Sequence, residues 1–483
     1  MTRIMIAAVA AEQPGAMYPF TILGLILRMR GKQVQKPALQ KGLMVSALLT
    51  ERDTLVVNMP EKTALEKNLS SWYQLHYQMS EQGFDWGMVP EKNSYKQYMT
   101  LTMRHLTKNQ WNAIQRATRE LGSIFNKTYH YFMKNKRLIE NLGMPQFLAQ
   151  SCCRSMEQEW FSLITRFDFI LSDNRIKLCE ANTATPQGLP ESHIANQILC
   201  DYYGLRSPNK IKENLSKMWE HYFQSHKEIR SDEPLYCTTY KWFSEDFNTA
   251  TFIARCARDG REIRFIPLEK LSVDERGVYD EKGQQIRLLY MLYPMEFLPY
   301  DTDKQGKKIG NIFLDLIAQQ KINVINPLSA TIMQSKNVLA DIWKLHMDQS
   351  DLFTDSEHES IEKYFIPTYR FDKNKMDDYF AKLGETIVIK PVLGREGKGV
   401  RIVTRESVEK IRIDYDDKWY DTQPFIVQQY EELPDQIVDT WSGKEIGKMI
   451  CGSYLIDNKS SGIYLRVDEK ITGDDCYWIG VTI

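Results

Sequence analysis

KPVLGREGKGVRIV occupies Lys390–Val403 and packs three glycines into six residues between two apolar stretches. Glycine lets backbone amides approach an anion closely, because no Cβ stands in the way. Two familiar phosphate loops fail to fit. A Walker A loop needs G-x-x-x-x-G-K-[ST], but Gly399 follows Lys398, and Val392 stands where the first glycine belongs. A dinucleotide-binding G-x-G-x-x-G needs glycine at 402, which is Ile402. Both of those loops also lead into a helix, whereas VRIV reads as a strand. The segment is therefore a glycine-rich turn between two strands, with Lys390 closing the first. Two readings stay open from these residues. One is a hairpin lid over a triphosphate, with Lys390 neutralising phosphate charge; the other is an ordinary mobile hairpin. FIVQQY follows at Phe425–Tyr430, a buried strand whose polar end suits backbone hydrogen bonds to an adenine edge.

Upstream, TRFDFILSDNRIKLCEAN (Thr165–Asn182) reads as two strands around the turn signal Ser172-Asp173-Asn174-Arg175. Arg166, Asp168, Glu180 and Asn182 share one parity. A register that sets Asp168 opposite Glu180 also sets Arg166 opposite Asn182, all on one face. Two carboxylates and an amide oxygen converging in this way are hard ligands suited to Mg2+ shared with phosphates. A slip of one residue would send Asp168 and Glu180 to opposite faces, and the segment would be a surface hairpin with unrelated charges.

Elsewhere the chain reads as mixed α/β and α+β. Residues 61–165 look mostly helical, with a T-x-x-Q capping box at Thr107–Gln110 and an apolar stripe of Leu121, Ile124, Phe125, Thr128 and Phe132. EDFNTATFIARCARDG reads as a helix ending at Gly260, followed by the strand REIRFIP; IRLLYMLYP, a helix at NIFLDLIAQQ and INVINP continue an α/β layer. TIVIKP, VRIV, FIVQQY and MICGSYLID look like strands of one later, more antiparallel sheet.

The 483 residues carry 62 basic and 63 acidic side chains, a balance that argues against a general nucleic-acid or membrane-surface binder. Apolar residues make up 43%, enough for a sizeable core. The eight cysteines form no CxxC and no zinc-ligand spacing, as expected of free thiols in a reducing cytosol. MTRIMIAAVAAEQ is short for a signal peptide. The run MYPFTILGLILRM is broken by Pro19 and Thr21 and falls short of the ~20 residues that span a bilayer. A cytoplasmic location without membrane attachment is expected. Nothing in the sequence fixes the oligomeric state.

Several of these segments, taken together and in order, resemble the synthetase domain of the glutathionylspermidine synthase family, an ATP-grasp ligase. The likeness covers roughly residues 85–483. It rests on R-F-D-F…E-A-N-T-A-T-P…E, S-E-D-F-N-T-A, Y-P-M-E-F-L, S-K-N-V-L-A, K-P-V-L-G-R-E-G-K-G-V, V-Q-Q-Y and G-I-Y-L-R-V-D-E-K-I-T-G. The resemblance implies an ATP-grasp fold over 331–483, a pre-ATP-grasp α/β region with a helical segment over 85–330, and an extension of unclear role over 1–84. It implies ATP-dependent amide formation through an acyl phosphate, joining a peptide carboxylate such as glutathione to an amine such as spermidine. Asp168, Glu180 and Asn182 would hold Mg2+. Lys336 and Lys390 would meet ATP phosphates beneath the loop of Gly394, Arg395, Gly397 and Gly399, and Gln428 and Gln429 would face the nucleotide. Arg166 and Arg466 would stabilise transferring charge, and Glu245 and Asp246 would meet the amine.

Each residue also has a plainer reading. Lys336 suits a solvated helix start, Glu245 and Asp246 suit a helix N-terminus, and Arg466 suits a surface strand. The family pattern has an acid where Ala184 stands and another after the arginine, where Val467 stands. The chain ends soon after Gly473 without the usual histidine-containing tail, and residues 1–84 show no counterpart of the cysteine amidase domain found in some members. Beside the ligase reading stands an alternative, a catalytically degenerate MgATP-binding module with a scaffold or regulatory role.

Overall fold

The computed structural model of the chain describes residues 4–5, 64–90, 94–172, 175–410, 418–473 and 475–483. Apart from Ile4–Met5, the N-terminal apolar runs lie outside these residues. Within residues 61–165, the strand β1 (Met99–His105) interrupts the expected helices. The reason is legible in MTLTMRH, where apolar and polar residues alternate with the period of a strand. Thr107 then opens the helix α1 (Lys108–Lys134) with the expected capping box: its hydroxyl accepts from the Gln110 amide, and Gln110 Oε1 accepts from the Thr107 amide. Leu121, Ile124, Phe125, Thr128 and Phe132 are all fully buried along one face of α1.

The hairpin β2 (Ile164–Ser172) and β3 (Arg175–Asn182) follows; Asp173 and Asn174 at its turn lie outside the described residues. Next comes an α/β layer, made of β4 (Leu235–Thr239), α2 (Ser244–Ala254), β5 (Ile263–Pro267), β6 (Leu288–Met291), α3 (Ile309–Ala318) and β7 (Asn323–Ile325). The helix α2 stops at Ala254 rather than Gly260, and turns fill the gap. The four strands are parallel, in the order β7-β6-β4-β5. The helices α4 (Leu328–Gln334) and α5 (Asn337–Met347) lead to β8 (Thr368–Arg370), β9 (Thr386–Pro391), β10 (Arg401–Thr404) and β11 (Phe425–Gln429), an antiparallel sheet ordered β8-β11-β9-β10.

The chain then leaves that sheet. The strands β12 (Asp435–Thr440), β13 (Gly443–Ile456), β14 (Lys459–Asp468) and β15 (Tyr477–Thr482) join β1 and the first hairpin in a seven-stranded sheet, ordered β1-β15-β14-β13-β2-β3 with β12 alongside β13. MICGSYLID therefore belongs to a different sheet from TIVIKP, VRIV and FIVQQY. Period-2 apolar patterning identifies a strand but not its partner, so the split was invisible in sequence. Its result is that β13 pairs with β2, with Gly452 opposite Asp168 and Tyr454 opposite Arg166, and β14 lies one strand further on.

One side chain ties the base of the hairpin to the parallel layer. Asn326 Oδ1 accepts from the amides of Leu163 and Ile164, and Nδ2 faces the carbonyls of Ile164, Thr183 and Ala184. Gln334 Oε1, at the end of α4, accepts from the amides of Thr183 and Ala184. Buried amides and carbonyls left unpaired are costly. Asn326→Ala is expected to lower stability by at least about 2 kcal/mol, read as a drop in the denaturant midpoint of unfolding; an unchanged midpoint would show that water replaces these bonds without loss.

Candidate functional site

A cleft of about 1250 Å3, counting its open mouth, runs between the seven-stranded sheet and the β8–β11 sheet. Its inner wall is the hairpin, in the expected register: Asp168 pairs with Glu180 and Arg166 with Asn182. A register shift follows Asp168, so the remainder of the hairpin pairs one residue out of step. Asp168 is wholly buried. Its carboxylate accepts from Arg166 Nε and Nη2 at 2.7 and 2.9 Å, from Arg466 Nη2 at 2.9 Å and from Asn182 Nδ2 at 3.2 Å. Oδ1 takes one of these donors and Oδ2 takes three. Asp168 thus anchors two guanidinium groups, a role additional to its expected place among the metal ligands.

Arg466, read alone as a surface residue, is largely enclosed by the cleft walls, with 13% of its side chain exposed, and its Nε has no hydrogen-bond partner. A buried donor without a partner is costly unless a ligand acceptor meets it. The guanidinium carbons of Arg166 and Arg466 each lie 5.4 Å from the centre of the Tyr464 ring. Gly452 makes room for this packing: a Cβ there would stand 2.7 Å from Arg166 Cδ.

Glu180 faces the cleft. Its Oε2 lies 3.2 Å from Lys336 Nζ, which also donates to the carbonyl of Gly394 at 2.7 Å. Burial works to raise the Glu180 carboxyl, but Lys336, Lys390, Arg166 and Arg466 outweigh it and hold the group well below the usual carboxylate range. Lys336, at the start of α5, is buried, so its reading as a solvated helix start does not hold. Lys390 is buried too, and donates to Gln428 Oε1 at 2.8 Å and to the carbonyl of Cys179 at 3.3 Å. Gln428 in turn donates to Thr368 Oγ1, so it orients the lysine.

The glycine loop is the turn of the β9–β10 hairpin, as expected. Gly397 and Gly399 adopt positive φ of 70° and 74°, open to glycine without strain. Gly397 also lies against the segment after β14; a Cβ would come within 2.8 Å of the Thr472 carbonyl. Arg395 lines the cleft, but its guanidinium is engaged with Glu296 and Thr185. Beyond the lysines, Ile170, Ile366, Val388, Ile402, Leu433 and Ile450 form an apolar slot beside Gln428–Glu431, the size and character of a site for a flat heterocycle.

The acidic pair Glu245 and Asp246 lies in the first turn of α2, at the carboxyl end of the parallel strands. Neither lines the cleft, nor does Gly399. Asp246 is joined to the cleft through Gln187. The Gln187 carboxamide donates to Asp246, and the Gln187 carbonyl accepts from Arg166 Nη1 at 3.0 Å and from the Tyr454 hydroxyl at 2.7 Å. Burial pushes the Asp246 carboxyl up to about 6, against the pull of Gln187 and Thr239. Sequence reading missed Gln187, Glu296, Tyr464 and Glu191. Glu191 is fully buried and accepts from Trp86 Nε1 and from the Tyr98 hydroxyl, which is 2.6 Å from that of Tyr464. Glu296 and Tyr464 fall within the family-like stretches Y-P-M-E-F-L and G-I-Y-L-R-V, but no role was read for any of the four, because their places depend on pairings between distant segments. The family departures fall outside the cleft. Ala184 is buried with its amide on Gln334, and Val467 is buried on the face of β14 opposite Arg466.

The donor set offers hard oxygens at Glu180 and Asn182, which suit Mg2+ by chemistry, while Asp168 gives its oxygens to arginine. Among the described residues no cluster of three or more His, Cys, Asp or Glu side chains has metal-site geometry, and no helix is long and apolar enough to cross a membrane. All eight cysteines are free.

A glycine-rich hairpin turn over paired lysines, above a slot between an antiparallel sheet and a larger mixed one, is the ATP-grasp architecture. A model of the glutathionylspermidine synthase pre-ATP-grasp family matches residues 68–483, and the chain belongs to that family. It is 24% identical over 425 residues to a Haemophilus influenzae protein named "putative acid–amine ligase", covering 83% of this chain and 95% of that protein. A glutathione synthetase-like effector from Globodera pallida shares the fold, with a TM-score of 0.55 at 9% identity, over 87% of this chain and 98% of the other.

A carboxyl with a raised folded-state pKa adds stability when protonated. For Asp246 that contribution is full below about pH 4 and is lost as pH rises through about 6. Between these limits wild type should lose roughly 3 kcal/mol relative to Asp246→Asn. Denaturant titrations of both proteins at acid and neutral pH measure the difference, and parallel pH profiles would place Asp246 in a solvated setting.

Proposed function

We propose that the chain is an ATP-dependent acid–amine ligase that forms an amide through an acyl phosphate. The observation that carries this reading is one hydrogen-bonded line of groups through the cleft: Asp246, Gln187, Arg166, Asp168, Asn182, Glu180, Lys336 and the Gly394 carbonyl. It links an acidic end, a pair of guanidiniums and a lysine-lined lid, in the order that an amine, a carboxylate and a triphosphate would need.

In this reading the adenine occupies the apolar slot beside Gln428–Glu431, and Lys336 and Lys390 take the phosphates beneath the lid. Four cations, Lys336, Lys390, Arg166 and Arg466, face two carboxylates, Asp168 and Glu180, so the cleft favours an anionic ligand. Arg166 and Arg466 hold the substrate carboxylate in line with the γ-phosphoryl group, with Arg466 Nε as an open donor. Mg2+ would supply charge neutralisation across the phosphate oxygens; Glu180 and Asn182, with Asp168 behind them, are the groups that would hold it. Glu245 and Asp246 receive the amine, whose nitrogen attacks the acyl carbon as phosphate leaves. The carboxylate substrate is proposed to be a peptide such as glutathione, and the amine a polyamine such as spermidine. That Ala184 and Val467 stand outside the cleft supports an active enzyme over a degenerate one.

Purified protein with MgATP and a panel of peptides and amines is expected to release ADP with matching amide product, detected by mass spectrometry. Lys336→Met and Lys390→Met should each lower kcat/KM for ATP by about 100-fold. Tight nucleotide binding without ADP release across a broad panel would sink the ligase reading.

A further inference from the structure

Glu296 is wholly buried and has no place in the chemistry described so far. It follows β6, at the carboxyl end of the parallel sheet. Its Oε1 accepts from Nε and Nη2 of Arg395 at 2.9 and 2.6 Å. Nη1 of the same arginine donates to Thr185 Oγ1 at 3.0 Å. Arg395 belongs to the lid; Glu296 and Thr185 belong to the body beneath it. The other Glu296 oxygen, Oε2, is buried without a hydrogen-bond partner, so the carboxylate relies on this one guanidinium for compensation.

We propose that Glu296 is the latch of the lid, a positioning residue that holds Arg395, and with it residues 392–400, closed over the phosphate end of the cleft. The physical case is an asymmetry. Arg395 sits on a glycine-rich turn and can swing into water, where a guanidinium is well solvated. Glu296 follows a buried parallel strand and cannot travel with it. Opening therefore strands a carboxylate inside the protein without its cation, and this opposes opening. Other ties hold mainly the base of the lid: the Val392 carbonyl accepts from the Lys336 amide, the Val392 amide donates to the Pro424 carbonyl and the Leu393 amide to Gln423 Oε1, while nearer the tip Lys336 donates to the Gly394 carbonyl and Gly397 touches Thr472.

The latch has a chemical consequence that rests on the ligase reading. Water that reaches an acyl phosphate attacks the acyl carbon, breaks its bond to the phosphate oxygen, and returns carboxylate and inorganic phosphate with no amide made. A lid held shut excludes that water until the amine has reacted.

The test uses the full chain and has two arms. Trypsin cleavage after Lys398, identified by mass spectrometry, reads lid opening without any substrate. Glu296→Gln is expected to speed that cleavage at least about tenfold, and the exchanged pair Glu296→Arg with Arg395→Glu to bring it back toward the wild-type rate. In the second arm, Glu296→Gln should release ADP in excess of amide, where wild type yields the two in equal amounts. Unchanged cleavage after Lys398 in Glu296→Gln overturns the latch, whatever the activity. Should that variant fail to fold, Arg395→Gln breaks the same pair from the lid side; faster cleavage supports the latch and unchanged cleavage overturns it. Faster cleavage in a protein that releases no ADP supports the latch and removes only the ligase reading.

Discussion

The carboxylate of Asp168 organises the molecule's chemistry. Taking an ion out of water costs several kcal/mol unless charge and hydrogen bonds replace the lost hydration. Asp168 is fully enclosed, and it draws in Arg166 from its own strand, Arg466 from the chain's last long hairpin and Asn182 from across the first one. Those arginines in turn rest on the Tyr464 ring. The enclosure works only if β13 lies between β2 and β14 and carries glycine at 452. One buried charge thus constrains a sheet register, a glycine and an aromatic platform.

Much of this was legible in the sequence where chemistry repeats with a local period. The side-chain period of a strand made the convergence of Asp168, Glu180 and Asn182 a matter of parity, and the hairpin has that register. The glycine spacing at 394–399, with no helix after it, made the turn a strand connection. What escaped was whatever depends on partner choice. Arg466 has no local signal for burial, because its environment comes from strands almost 300 positions away. Lys336 looked like a solvated helix start because sequence does not say that β9 and the lid close over it. Glu296 stands in the quoted stretch Y-P-M-E-F-L, yet neither it nor Gln187 shows a role in sequence; each acquires one from the residues it meets in the fold.

The two departures from the family pattern illustrate the same limit. In the sequence, Ala184 and Val467 replace acids close to functional residues, and that proximity kept open the reading of a degenerate module. In three dimensions Ala184 belongs to the hydrogen-bonded base of the hairpin with Asn326 and Gln334. Val467 points away from the cleft because successive strand residues face opposite sides. Their effects fall on packing, while the line of polar groups from Asp246 to the lid is intact.

The bridge from Asp168 to Arg466 spans 298 positions of sequence. Contacts of such separation must wait for the chain between them to be ordered, because closing long loops costs entropy before the contacts reward it. The parallel layer and the small antiparallel sheet are both built from nearer neighbours and lie within that interval. The arginine half of the cleft therefore has the greater loop-closure cost, while the lysine half, with Lys336 and Lys390, is built from segments between Cys179 and Gln428 and needs neither β13 nor β14.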